Sequence, residues 1–327
     1  MFILDYEELK PGDIILTTEK SGTSYAVRAF TLSRFSHAIL YVGNGSYIHS
    51  NMSGVHSDSI NRLIFKNEYD VSVLRVSDSE YCSKACDFSR LQIGKEYSVK
   101  EAIKTKYPFR RVDVSDKQFC SRLVAQAYEY SGLKLVRDSS YCSPQEIYKS
   151  KDVVRVNGII RKATSEEIAH ANSNNPLKTQ ASVTSNILKS CRTLTSVNIQ
   201  SLKQLDSFVF SNPNFDTSIS NVIKESGYLT LWVEEVGKNA WRYDRESFLN
   251  VPLPINEKIE LSIREREGAE SRLERYLPAL EYYKNACLNT NLEYAKILFK
   301  LYGNLVNHTN RNLDAANYVF DKLSAES

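Results

Sequence analysis

The chain has 327 residues, and its 42 lysines and arginines against 39 aspartates and glutamates give a formal charge of +3. This length allows two domains with sizeable cores. The near balance of charge, without a basic stripe interleaved with aromatic residues, argues against a nucleic-acid partner and against polybasic membrane binding.

The first residues and the hydropathy pattern bear on where the protein resides. No apolar run reaches the roughly 18 residues that a spanning helix needs, so we expect no transmembrane segment. The stretch from Met1 to Glu8 has neither the basic start nor the apolar core of a signal peptide. We therefore predict a cytoplasmic protein whose cysteines are reduced.

The first predicted elements are a strand over Gly12 to Leu16 and a helix over Ser21 to Ser33. Two apolar and β-branched runs follow, Ser36 to Val42 and Ser46 to Ser50, on either side of Gly43-Asn44-Gly45. This pattern predicts a β-hairpin.

The register of that hairpin decides whether His37 and His49 meet. With a three-residue loop at Gly43 to Gly45, His49 pairs with Ile39, which shares a face with His37 because side chains alternate along a strand. The two histidines are then diagonal neighbours, roughly 7–8 Å apart at the backbone. A two-residue loop would place them on opposite faces of the sheet.

The next predicted elements are a strand over Val71 to Val76 and a helix over Asp78 to Leu91. Cys82 and Cys86 are four residues apart on this helix. No second Cys or His pair at zinc spacing accompanies them, so we expect no metal site. His56 is interpreted as a solvated loop residue.

A helix is predicted to begin at Cys120 and to end at Ser131-Gly132. Its inward face is formed by Cys120, Leu123, Val124, Ala127 and Tyr128. The positive end of a helix lowers the pKa of a thiol and favours the nucleophilic thiolate.

The residues around Cys120 indicate thiol catalysis. In this interpretation Cys120 is the nucleophile, His37 the base and His49 the group that orients the base. The alternative is that Cys120 is a packing residue, since free cysteines are commonly buried. This chemistry requires neither a metal nor an organic cofactor.

Closing strands of the same sheet are predicted over Lys151 to Val156 and over Gly158 to Ile160. The composition then becomes rich in Asn and Ser, which indicates a linker or loop. The predicted organisation is a catalytic domain at 1–165, a polar linker or loop at 166–185 and a helical domain at 186–327.

The second half of the chain is mostly helical in pattern. The predicted helices cover Glu257 to Cys287, with Gly268 and Pro278 as breaks or kinks, then Leu292 to Val306 and Asn312 to Leu323. Leu229 to Val233 is predicted to be a short strand or an apolar anchor. We expect this domain to pack on the catalytic domain; the alternative is that it acts as a lid or binds a protein partner.

Seven motifs in the first half of the chain resemble the circularly permuted NlpC-type papain-like cysteine hydrolases, especially the YiiX/YebB-like group. The lecithin:retinol acyltransferase family is a relative with the same order of residues. The motifs are Leu9-Lys10-Pro11-Gly12-Asp13-Ile14-Ile15-Leu16, Ser36-His37-Ala38-Ile39-Leu40-Tyr41-Val42-Gly43, Tyr47-Ile48-His49-Ser50, Gly54-Val55, Ile93-Gly94-Lys95-Glu96-Tyr97, Phe119-Cys120-Ser121-Arg122-Leu123-Val124 and Ser143-Pro144-Gln145-Glu146-Ile147.

The resemblance implies an α+β fold, with an antiparallel sheet and a helix that starts at the catalytic Cys120. A mostly helical C-terminal domain follows. The YiiX/YebB-like proteins commonly carry Glu where this chain has His49, whereas the acyltransferase relatives carry His. The 12-residue step from His37 to His49 is closer to the latter.

Charge on the carbonyl oxygen in the transition state needs hydrogen-bond donors. The backbone N–H of Cys120 is the first candidate, and the resemblance puts Tyr97 forward as the second. An ordinary half-buried aromatic is the alternative for Tyr97. Gln118 is a weaker candidate.

The function predicted from these residues is thiol-dependent hydrolysis of an amide or ester through an acyl-enzyme on Cys120. The resemblance implies a peptide, N-acyl or lipid substrate. One alternative is an acyltransferase that uses the same acyl-enzyme. Another is a non-catalytic binding or interaction module, with a protein partner on the C-terminal helices.

Overall fold

The structure is a computed structural model that describes residues 1–18, 34–98, 102 and 116–325. The predicted helix over Ser21 to Ser33 lies outside these residues. The chain divides into two compact units. The first comprises the described residues of 1–192 and 196–206, and the second those of 193–195 and 207–327.

The strands of the first unit form two antiparallel sheets. One has six strands in the order β5-β4-β3-β2-β7-β8, and the other has three in the order β6-β1-β9. In chain order the strands are β1 (Phe2–Leu4), β2 (Ile14–Thr17), β3 (His37–Gly43), β4 (Ser46–Asn51), β5 (Gly54–Ser59), β6 (Ile64–Phe65), β7 (Val71–Arg75), β8 (Val154–Val156) and β9 (Ile160–Lys162).

Helices of the first unit lie between and after these strands. They are α1 (Ser79–Leu91), α2 (Cys120–Ser131), α3 (Pro144–Tyr148), α4 (Ser165–Asn172) and α5 (Pro176–Thr195). The described part of the second unit is helical. Its elements, the first of which begins in the first unit, are α6 (Leu202–Ser211), α7 (Asp216–Glu225), α8 (Leu231–Lys238), α9 (Arg245–Leu249), α10 (Ile255–Asn289) and α11 (Glu293–Ser324).

The central strands β2 and β3 of the six-stranded sheet are buried on both faces. On one face, β2 and β3 side chains such as Ile14 and Leu40 form a core with Leu123 of α2 and Cys86 of α1. On the other face, Ile15 and its neighbours pack against residues of the three-stranded sheet. Burial on both faces fixes the register of β3 firmly, because a slip of one residue would exchange the two faces.

The predicted pairing of the hairpin is confirmed. Ile39 of β3 lies opposite His49 of β4, so His37 and His49 are on one face. This arrangement is the one that a three-residue loop was expected to produce.

The loop itself differs from the prediction. Gly43 pairs with Ser46, so the turn contains two residues, Asn44 and Gly45, with φ angles of 50° and 69°. Two positive φ angles are typical of a type I′ turn. The register shifts between Tyr41 and Gly43, which makes Val42 the extra residue of a β-bulge. The bulge offsets the shorter loop and keeps both histidines on one face.

The closing strands are confirmed only in part. β8 pairs with β7 as predicted, whereas β9 pairs with β1 in the other sheet. Gly158, with a φ of 80°, redirects the chain between them, and the N–H of Asp5 donates to the carbonyl of Ile159. The prediction that both strands close the same sheet is wrong, because the turn at Gly158 sends the second strand elsewhere.

Helices α4 and α5 cover most of the predicted polar linker. Thr164 and Glu167 form a capping box at the start of α4. The Asn175 side chain accepts from the N–H of Leu177 at the start of α5, and Pro176 occupies its first turn. The expected loop within the polar linker at 166–185 is therefore wrong, because most of this range is helical and Glu167 and Asn175 take part in the helix caps. The division into functional domains stays a prediction.

Three details of the second unit also differ from expectation. Leu229 to Val233 is helical, since the described part of this unit offers no strand for pairing. α10 continues through Gly268 and Pro278. The two helices predicted at the C-terminus are one, α11, in which the Thr309 hydroxyl donates to the Leu305 carbonyl. The long helices α10 and α11 pack along each other, and this burial offsets the cost of Pro278.

Candidate active site

Cys120 is the first residue of α2, as predicted. The preceding residue, Phe119, is extended, and the helix ends at Gly132 with a φ of 103°. The Cys120 side chain is buried, with 5% exposure. Its sulfur lies 4.0 Å from the carbonyl oxygen of Ser36, immediately before β3. Helix α2 therefore brings the thiol to the start of the strand that carries His37.

Arg122 connects the segment that precedes Cys120 to the loop that follows α2. Its side chain is fully buried, and the guanidinium lies 4.5 Å from the centre of the Phe119 ring. Nε donates to the carbonyl of Ser140 at 2.8 Å, and Nη1 donates to that of Lys117 at 2.9 Å. A planar guanidinium can donate in several fixed directions at once. Arg122 thus holds the segment before Cys120 against the loop that follows α2.

His37 and His49 are in direct contact. Nε2 of His37 and Nδ1 of His49 are 2.9 Å apart, and both rings are buried. The thiol of Cys120 hydrogen-bonds to the side chain of His37. The structure therefore joins the three predicted catalytic residues in the order sulfur, first imidazole, second imidazole.

A third histidine, which the sequence interpretation left out, extends this series. Nε2 of His49 and Nε2 of His56 are 2.9 Å apart, and Nδ1 of His56 is 3.1 Å from the carbonyl oxygen of Gly54. The assignment of His56 to a solvated loop is wrong. It lies on β5, directly opposite His49. The polar composition of β5 concealed a strand whose only sequence signal is the short turn before Gly54.

Position 54 requires glycine because the backbone of Lys95 passes very close to it. Its φ is 93°, and a Cβ at this position would lie 2.5 Å from the carbonyl oxygen of Lys95. The N–H of Val55 donates to that same oxygen at 2.8 Å, and the N–H of Gly94 donates to the Val55 carbonyl at 2.9 Å. Only glycine fits this space and this conformation. These contacts hold in place the Gly54 carbonyl, which accepts from Nδ1 of His56.

The surroundings of Cys120 favour its thiolate. Burial, the largest influence, opposes ionisation. The positive charge and hydrogen bond of His37, with backbone hydrogen bonds from Ala38 and Ser121, outweigh it and lower the pKa of the thiol. Burial and then the charges of His37 and His56 hold the pKa of His49 well below its usual range. The site therefore favours the thiolate of Cys120 and keeps His49 neutral.

Other buried cysteines have the opposite property. Burial raises the pKa of Cys86 to about 12 and that of Cys191 to about 11. It also raises the pKa of Cys82, and it raises that of Cys142 well above the ordinary value. Cys287 is half-buried. The sulfurs of Cys82 and Cys86 contact backbone carbonyls inside the core.

We expect a small alkylating reagent to label Cys120 first at neutral pH. Because its pKa is lowered, the thiolate fraction and hence the labelling rate should rise and level off at lower pH than for an ordinary thiol. Alkylation rates against pH, with mass-spectrometric assignment of each site, measure this. Faster labelling of Cys82, Cys142 or Cys287 at neutral pH would contradict it.

The two other predicted site residues lie next to each other. Tyr97 and Gln118 form an isolated parallel bridge. Gln118 is two residues before Cys120 in the sequence. The Gln118 side-chain nitrogen donates to the side-chain oxygen of Gln126 at 2.9 Å. This bond occupies one donor of Gln118.

His37, His49 and His56 are arranged as a hydrogen-bonded row. Within residues 1–18, 34–98, 102 and 116–325, no three His, Cys, Asp or Glu side chains are grouped as ligands.

No helix in the described ranges is long and apolar enough to cross a membrane.

Comparison with known proteins identifies two similar proteins. "Probable lipoprotein peptidase YaeF" of Escherichia coli K12 is 31% identical over 71 residues, which are 22% of this chain and 26% of that protein. The match thus spans about a quarter of that relative. The crystal structure of the metalloprotein YiiX from Escherichia coli O157:H7 covers 45% of this chain and 96% of its own, with 20% identity and a TM-score of 0.36.

A family model described as permuted papain-like amidase enzymes of the YaeF/YiiX type matches residues 8–198. This range holds Cys120, His37, His49 and His56, and every strand described above except β1. The expected α+β permuted papain-like fold is confirmed. The chain therefore belongs to the YaeF/YiiX family of permuted papain-like amidases.

Proposed function

We propose that this protein hydrolyses an amide or ester bond through a covalent acyl-enzyme on Cys120. The observation that carries the proposal is the row of contacts from the Cys120 thiol to His37 and on to His49. A nucleophile in contact with a base, and a base in contact with an orienting group, is the arrangement that acyl transfer needs.

The reaction has two halves. In the first, His37 takes the thiol proton and the thiolate attacks the substrate carbonyl. The tetrahedral intermediate collapses, the bond to the leaving group breaks, and His37 gives its proton to that group. In the second half, His37 takes a proton from water, the hydroxide attacks the thioester, and the carboxylic acid is released with the thiol restored.

The oxyanion formed in both halves needs donors. The backbone N–H of Cys120 at the start of α2 is the proposed first donor, since the positive end of the helix points there. Tyr97 is the proposed second donor, with Gln118 as the weaker candidate. The proposed substrates are peptides, N-acyl compounds or lipid esters, and amides fit the family best.

An acyltransferase is the second candidate. The observation that favours it is His49 itself, which stands where YiiX/YebB-like relatives commonly have Glu. In this version an amine or alcohol replaces water in the second half of the reaction. A protein partner on the C-terminal helices and a cytoplasmic location remain predictions from the sequence. The relative YaeF is named a lipoprotein peptidase.

Hydrolysis is tested by incubating the full chain with a panel of N-acyl anilides, peptide anilides and lipid esters. An amine acceptor is added to half of the samples. We expect the free acid as the main product both with and without the acceptor. A predominance of acylated amine would establish the transferase instead. Absence of turnover, together with an unlabelled Cys120 in the folded protein, would favour a non-catalytic module.

A further inference from the structure

We propose that His56 is a positioning residue. By donating from Nδ1 to the Gly54 carbonyl, it sets the tautomers of His49 and His37 and directs Nδ1 of His37 to the sulfur of Cys120. This inference rests on the proposed function, because it concerns the base of that reaction. It assigns a purpose to a half-buried strand residue that the two-histidine mechanism does not use.

The hydrogen bond between His56 and the Gly54 carbonyl can have only one direction. A carbonyl oxygen only accepts hydrogen bonds, so the His56 nitrogen that lies 3.1 Å from it, Nδ1, carries the proton. A neutral imidazole has one N–H. Nε2 of His56 is then an acceptor, and the hydrogen of the bond to His49 must come from His49.

The direction of this hydrogen bond determines the direction of the next two, up to His37. Nε2 of His49 donates to His56, so Nδ1 of His49 accepts. The hydrogen of the 2.9 Å contact between His49 and His37 therefore belongs to Nε2 of His37. Nδ1 is the nitrogen of His37 that remains for the thiol. It lacks a proton in the neutral ring and gains one from Cys120, so the direction of the row is the same in both states.

The row needs His49 and His56 to be neutral at the same time. Both lie largely out of water, and burial lowers the pKa of each. The charged groups that face His56 are Asp58 on its own strand, which favours protonation, and Lys178 of α5 and His37 of β3, which oppose it. Asp58 is engaged by the side chain of Asn175 and by the backbone of Ser59.

Reversal of the row would disable the base. If Nε2 of His56 carried a proton, His49 would have to accept at Nε2 and donate from Nδ1. His37 would then accept at Nε2 and keep its hydrogen on Nδ1, facing the sulfur. A neutral ring in that tautomer cannot take the thiol proton. The Gly54 carbonyl prevents this by fixing the proton of the neutral His56 ring at the far end.

Two substitutions of His56 distinguish the loss of its hydrogen-bond acceptor from the loss of its ring. In His56→Gln, the amide oxygen can accept from Nε2 of His49, so the direction of the row survives. In His56→Ala, this acceptor is lost and both tautomers of His49 become accessible. We expect kcat to fall about 10- to 100-fold in His56→Ala, with KM little changed. His56→Gln should stay within about threefold of the parent protein, since the acceptor is retained.

A surface histidine provides the matched control. His170 lies on α4 and is exposed. His170→Gln should leave kcat and the melting temperature unchanged. Equal loss of kcat in His56→Gln and His56→Ala would overturn the inference, because it would show that the ring itself, and not the acceptor, is required. Full kcat in His56→Ala would overturn it as well.

The tautomers are also measured without activity. The full chain labelled with ¹⁵N-histidine gives distinct two-bond correlation patterns for the two neutral tautomers, and single substitutions assign the five histidines. We expect His56 with its hydrogen on Nδ1 and His49 with its hydrogen on Nε2. His49 with its hydrogen on Nδ1 would overturn the inference, even in an active enzyme. The expected tautomers in an inactive protein would sustain the row and refute the hydrolase.

Discussion

Cys120→Ala is expected to lower kcat/KM by at least about 10⁴-fold, because covalent attack and proton transfer are both lost when the sulfur is removed. The same change should have little effect on the fold. It removes one buried atom, at a cost of about 1 kcal/mol, which corresponds to roughly 2–4 °C in melting temperature for a protein of this kind. Steady-state kinetics and a thermal melt on the full chain measure the two effects.

Cys86→Ala is the matched control for this experiment. Its sulfur is also buried, and it contacts the carbonyl of Tyr41 at 3.6 Å. The substitution therefore removes the same atom from a core position without touching the histidines. We expect activity close to that of the parent protein. If Cys86→Ala and Cys120→Ala lost activity equally, the loss would be structural and the assignment of the nucleophile would be wrong.

His49→Ala should cut kcat strongly, by about 10²- to 10³-fold, but less than Cys120→Ala or His37→Ala. The smaller loss is expected because His49 acts through His37. Without the acceptor at 2.9 Å, the His37 ring keeps its chemistry and loses its orientation. Kinetics of the three variants, with melting temperatures to check folding, give the order.

Two further substitutions test the role of His49 as an acceptor. His49→Gln and His49→Glu should both retain more activity than His49→Ala, since a side-chain oxygen can accept from Nε2 of His37. Gln should exceed Glu, because its amide can also donate to His56, whereas a carboxylate cannot and would carry a buried charge. If neither variant exceeded Ala, hydrogen bonding at this position would not explain the role of His49.

The placement of the predicted site residues was easier to predict from the sequence than the backbone that supports them. Cys120 and His37 could be found because a helix pattern and a hairpin pattern each fix a side-chain direction. The pairing of Ile39 with His49 was also predicted correctly, although the expected loop was one residue too long. A bulge at Val42 offsets that difference. No local property of Val42 announces a bulge, since it depends on how the sheet twists and packs.

The misassigned segments share another cause. His56 lies on a polar edge strand, and the alternation that marks a half-buried strand is weak there. The region around Asn175 has the composition of a linker, yet its polar residues satisfy backbone groups at the starts of helices. Polar side chains at helix starts form hydrogen bonds with the backbone as well as with solvent. Composition alone does not separate these two uses.

The close approach of Lys95 to Gly54 has a consequence for partial unfolding. β5 is the outer strand of the six-stranded sheet, and the Gly94-Lys95 segment occupies hydrogen-bonding groups along its exposed edge. That edge is consequently less available to an extended strand from another chain. Since Gly54 also holds the far end of the histidine row, a local opening of this edge would silence the enzyme while most of the core stayed folded. Inactivation would then precede global denaturation.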